Sequence, residues 1–259
     1  MSIADKLYTL QTIKANIKTA IENKGVDVGD APFTDYASKI DGIEGGSSDG
    51  GETTILKLSE QSQLNFSSFN IQGKLKIECA ANTEYIMFYN ATFSNPNGIE
   101  ILNSNSLDST YNMYKLSNIV EPYLFDTSNV TDMSSMFYGC SKLQAIPQFI
   151  TSNVTDMSTM FYECTNLETI PQLDTSNVSY MSYMFWGCSK LTNIGGFQGL
   201  KVNIDLKHSS LITRESMLNI FNTMGEANSI ITIHQNVADR LTDEDKAIAT
   251  NKGWRISIG

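Results

Sequence analysis

The chain writes nearly the same phrase three times: "DTSNVTDMSSMFYGCSKL" from Asp126, "TSNVTDMSTMFYECTNL" from Thr151 and "DTSNVSYMSYMFWGCSKL" from Asp174. Ser128, Ser152 and Ser176 stand 24 residues apart, as do Cys140, Cys164 and Cys188. A unit so short cannot bury its own apolar face and must cover it with its neighbour, so the period constrains the fold more than any other feature. It predicts an α/β solenoid. Within a unit, Met133, Met136, Phe137 and Cys140 fall at i, i+3, i+4 and i+7, the spacing of a helix face. Leu143 and Ile146 then lie in a short extended stretch that Pro147 ends or holds at an edge. Each unit reads as a short helix plus a short strand.

The stretch "TSNVTDMS" supplies the turn between units. Asn129, Asn153 and Asn177 are expected to form an inward-turned amide ladder satisfying loop backbone groups, with Thr131 or Asp132 capping the following helix. Calcium at Asp132 and Asp156 is disfavoured, because the third unit puts Tyr180 at that position. Tyr138, Tyr162 and Trp186 follow the core Phe of each unit. At about 100° per residue in a helix they point roughly 150° from the Met/Phe/Cys face, which predicts an aromatic column near the surface. Two readings of this candidate binding site stay open: rings covering a seam between units or an oligomer contact, and a platform for carbohydrate.

The flanks divide into further parts. Residues 1–43 carry a stripe of Leu7, Leu10, Ile13, Ile17 and Ile21, and then a second short apolar pattern after Pro32. A helix this short in front of a Gly/Ser-rich linker, residues 44–53, needs something to dock on it, so it reads as an anchoring and oligomerisation segment. Residues 54–120 read as a β-rich N-terminal cap with a degenerate repeat that keeps Asp108, Tyr114 and Ile119 one period early. Residues 121–197 hold the clear units. Residues 198–259 read as a C-terminal cap: Thr213 or Ser216 and Thr242 open two helices, Gly253 ends the second, and "WRISI" adds a strand.

A net charge of −10 argues against nucleic acid or an anionic membrane as partner, both of which need a basic footprint. The start of the chain lacks the apolar core of a secretory signal, so a protein made in a cytoplasm is expected. The cysteines form a column rather than a disulfide framework; with no C-x-x-C pair, and with His208 and His234 both outside the repeats, no metal or cofactor is expected. No nucleophile elbow or phosphate loop occurs, so an enzyme is the weakest reading.

The pattern "FDTSNVTDMSSMFYGCSKL" resembles the BspA-like leucine-rich repeats of bacterial surface proteins and phage virion proteins, over about Asp126 to Ile194. The N-terminal "IKTAIENKGVDVGDAPFTDYASKI" resembles the segment that joins phage tail fibres and other virion appendages to the particle. Together the resemblances imply a bacteriophage structural protein of a tail fibre, baseplate or head fibre, made in the host bacterial cytoplasm and located in the virion. It would contact other virion proteins through its N-terminal segment, form a homo-oligomer with a trimer favoured, and bind a host glycan or surface protein. The alternative is a bacterial surface adhesin carrying the same repeats.

Overall fold

The computed structural model describes residues 54–57, 63–68, 70–71, 75–95 and 97–259. The stripe Leu7, Leu10, Ile13, Ile17 and Ile21 and the linker lie outside the described residues.

Among the described residues, fourteen short strands run in chain order as β1 (Thr54–Lys57), β2 (Gln63–Asn65), β3 (Asn70–Ile71), β4 (Leu75–Glu78), β5 (Tyr85–Met87), β6 (Thr92–Phe93) and β7 (Glu100–Leu102), then β8 (Thr169–Ile170), β9 (Leu173–Asp174), β10 (Asn193–Ile194), β11 (Phe197–Gln198), β12 (Ile204–Leu206), β13 (Ile230–Ile233) and β14 (Arg255–Ile258). Every described pairing is parallel, and partners sit about one period apart: Lys76 faces Glu100, Thr169 faces Asn193, Leu173 faces Phe197. Single bridges continue one line through the repeats, from Tyr85 to Ser109, Asp132, Asp156 and Tyr180.

The expected helix in each unit is absent from the described repeats. In its place, backbone N–H groups alternate between two kinds of partner. Met133, Ser135, Phe137 and Gly139 donate forward to carbonyls of Asp156, Ser158, Met160 and Tyr162 at 2.7–3.0 Å. Between them Met136, Tyr138 and Cys140 donate back three residues, to Met133, Ser135 and Phe137. An α-helix directs every N–H to the residue four back, and this pattern cannot coexist with it. The backbone accommodates it by going left-handed at Ser135, Thr159 and Tyr183 (φ 55–57°) and again at Gly139, Glu163 and Gly187. The face chosen from helical spacing is nonetheless the buried one. Met133, Phe137, Cys140, Leu143 and their counterparts in the next two units are all buried.

The core is a column of rings. Phe66, Phe88, Tyr114, Phe137, Phe161 and Phe185 stack with successive centroids 5.4–5.8 Å apart and planes within 19°. It therefore passes without a break through residues that read as a cap in the sequence. The thiols form a second internal column, in which Cys140, Cys164 and Cys188 donate to carbonyls of Tyr114, Phe137 and Phe161 at 2.9–3.1 Å. Burial pushes the Cys140 thiol up to about 12 against opposing hydrogen bonds from Ser117, and it raises Cys164 and Cys188 as well. The asparagines correct an expectation. Asn129, Asn153 and Asn177 do bond loop carbonyls of the preceding unit at 2.6–2.7 Å, but from exposed positions. The inward polar ladder belongs to Thr127, Thr151 and Thr175, whose hydroxyls bond the backbone of Ile150, Asp174 and Gln198.

At the C-terminal end a helix substitutes for the next unit. Helix α1 (Arg214–Thr223), capped by Thr213, packs on β10 and β11. Its Ser216 hydroxyl bonds both the N–H and the carbonyl of Ile194, and its Thr223 hydroxyl accepts from Phe197 N–H, so side chains satisfy strand edges that would otherwise stay open. Lys252 donates to the terminal carbonyls of Phe221, Asn222 and Met224. A short α2 (Gln235–Ala238) is capped by His234, and α3 (Asp243–Thr250) opens with a capping box between Thr242 and Asp245. Gly253 holds φ 86°, with Ala227 O only 2.7 Å from where a Cβ would sit.

Replacing Phe161 by Ala should cost roughly 3–5 kcal/mol, because the ring is buried between two others. A denaturation midpoint unchanged from the parent would show that the inner column does not carry stability. Asp245 is buried, takes a two-pronged bond from Arg214 at 2.6 and 2.7 Å, and is held below the usual carboxylate range first by that bond. A depressed folded-state value contributes stability above the unfolded value of about 3.9 and loses it as pH falls through the folded one. Asp245→Asn should therefore melt below the parent at neutral pH, and the gap in Tm should close as the pH is taken below about 3.

Candidate functional site

Directly outside the inner rings, each unit places one more large side chain on the same line. Tyr138 and Tyr162 stack at 4.6 Å and 7°, and Tyr162 and Trp186 at 6.4 Å and 6°. The column longer than these three comprises Tyr89, Lys115, Tyr138, Tyr162, Trp186 and His208. Lys115 Nζ lies 4.6 Å from the Tyr138 ring centroid and 6.0 Å from that of Tyr89, replacing an aromatic rung by a cation between two ring faces. At the other end the His208 ring lies 3.8 Å from Trp186, and Lys207 Nζ stands 5.1 Å over the same indole. Tyr183 meets Trp186 edge to face at 5.9 Å.

The three expected residues are thus brought together, though not for the expected reason. Their outward direction comes from the alternating turn backbone rather than from a helical wheel. They are half-buried, not fully displayed. The geometry also decides what each ring can offer. Faces of neighbouring rings lie against one another, so a flat face open to a sugar is not what this column presents. Rings of successive units meet across the boundary between them. What faces outward is the ring edges. Desolvation, followed by the proximity of Tyr138, Glu163 and Tyr183, raises the Tyr162 hydroxyl above its ordinary value, so it stays a neutral donor.

Lys115, Tyr89 and His208 were missed in the sequence because the degenerate unit breaks the aromatic pattern and the cap has none. The 24-residue period points one residue short of Lys115, to Tyr114 of the inner column, because in the degenerate unit Lys115 stands 23 residues before Tyr138. Asp132 and Asp156 each hold a turn: Asp132 accepts from the N–H and hydroxyl of Ser134, and Asp156 from the N–H of Ser158. Among the described residues no group of three or more His, Cys, Asp or Glu could hold a metal ion, and no helix is long and apolar enough to cross a membrane.

A chain of parallel, in-register units with an inner and an outer ring column is a repeat protein. The family described as "Mycoplasma protein of unknown function, DUF285" matches residues 87–232, more than half of the chain, and the chain belongs to that family. The matched span encloses all six rungs of the outer column, Tyr89 to His208. No curated protein and no solved structure matches.

The stack predicts a cost for opening it. Tyr162→Ala should destabilise by about 1–3 kcal/mol in chemical denaturation, through lost burial and two lost ring contacts, while Tyr162→Phe should stay within about 0.5 kcal/mol. An alanine variant as stable as the parent would show that the rings do not hold the seam.

Proposed function

We propose that the units form a leucine-rich-repeat-like solenoid, and that the chain is a structural protein of a bacteriophage virion, in a tail fibre, baseplate or head fibre. It presents the repeats for adhesion to the host surface or for decoration of the particle. The observation that carries this reading is the uninterrupted stack: backbone bonds, inner rings and thiols all serve one rigid column whose outer ring edges face solvent. Such a body offers a long surface of fixed shape. Residues 1–43 anchor it to other virion proteins as a homo-oligomer, a trimer being the form that the likeness to fibres favours. A host glycan or surface protein is the external partner.

The second reading is a bacterial surface adhesin carrying the same repeats; the family's description names a bacterial group and gives no function. Labelling intact particles and intact cells with an antibody to the repeats separates the two. The virion reading expects label on purified particles, and a chain starting at Glu52 that remains folded but is lost from them. Retention of that shortened chain at full occupancy would refute the anchor. Label confined to cell surfaces would replace the virion reading by the adhesin one.

A further inference from the structure

We infer that the outer column takes an extended anionic glycan along its ring edges, with an acidic sugar against Lys115; this rests on the adhesive reading of the same column. Ring stacking consumes the faces between Tyr138, Tyr162 and Trp186, so a ligand meets edges. Those edges carry the Tyr138 and Tyr162 hydroxyls and the Trp186 indole N–H. Among the described residues none of the three has a hydrogen-bond partner in the protein, and none is among the buried unpaired polar atoms, which belong to Asn112, Tyr114 and His208. They are open to solvent and held by stacking, in a row whose ring centroids step 4.6 and then 6.4 Å. That step is on the order of one sugar unit. A row of fixed donors matches a row of hydroxyls at little entropic cost.

Charge selects the ligand class. Lys76, Lys207 and Arg214 each pair with a carboxylate, at 2.5, 3.1 and 2.6 Å, while Lys115, like Lys142, Lys190, Lys201 and Lys246, pairs with none among the described residues. What sets Lys115 apart is its place: it is held between two rings, a local cation at one end of the row. A carboxylate on the ligand completes it. Toward the other end the Glu163 carboxylate lies over Gly187, within 2.9 Å of where a Cβ would sit, and offers acceptors to hydroxyls beside Trp186. The row is therefore polar along its length: acid at Lys115, neutral sugar at Glu163.

The full chain should be titrated calorimetrically with a panel of uronate- and sialate-bearing hexasaccharides against neutral glucan hexasaccharides. The acidic members should bind, more weakly as salt is raised. Lys115→Gln and the double variant Tyr138→Phe/Tyr162→Phe should each weaken them about tenfold, and the double variant should keep the parent Tm, because phenylalanine preserves the stack and removes only the edge hydroxyls. Equal binding of neutral and acidic sugars, binding of neither, or variants that bind like the parent would overturn the inference. So would self-association of the parent abolished by the double Phe variant, which would assign the column to a second copy. Attachment of the intact protein to cells, unchanged in the double Phe variant, would defeat the inference and leave the adhesive reading standing. Failure of the parent to attach to any cell would remove that reading itself.

Discussion

The structure depends on one alternation in the backbone: every second N–H of the repeat turn leaves its own unit to bond the next. Phe137 and Gly139 donate to Met160 and Tyr162, and Phe161 and Glu163 donate onward to Met184 and Trp186. Because the bonds are in register, equivalent residues must stack on equivalent residues. A single-residue slip would break the match of ring on ring and thiol on carbonyl. The cost is a left-handed backbone at non-glycine positions such as Ser135, Thr159, Glu163 and Tyr183, which local preference disfavours and only the bonds to the neighbouring unit hold in place.

From that register come the columns. Phenyl rings fill the interior at a spacing the ladder imposes, thiols bond carbonyls of the preceding unit, and threonine hydroxyls bond backbone on the buried side. A column must also stop without exposing its edge. Here α1 lends Ser216 and Thr223 to the last strands, and Lys252 closes the carbonyl end of that helix. The same register forces Tyr138, Tyr162 and Trp186 face to face, so one constraint both builds the outer column and limits what it can present.

Much was legible in the sequence. Period, buried face, aromatic column and the caps at Thr213 and Thr242 all follow from residue identity and spacing, because apolar burial and hydroxyl capping are local preferences that identity reports directly. Less legible was the extent of the stack. Phe66 and Phe88 belong to the inner column and Tyr89 and Lys115 to the outer, yet the intervening letters have drifted too far for the period to be seen.

The sequence by itself determined which residues lie inside and how far apart the units recur. Only the tertiary structure decided the conformation of the unit, the asparagines' exposed position and the direction of the ring faces. Met133, Met136, Phe137 and Cys140 satisfy helical spacing and are all buried, yet no helix forms there. Spacing tells which side chains face the core, while the partner of every second N–H sits 23 residues away, at Asp156 for Met133 and Met160 for Phe137, and that bond sets the backbone dihedrals. A contact so remote in the chain leaves no local mark in the letters around it.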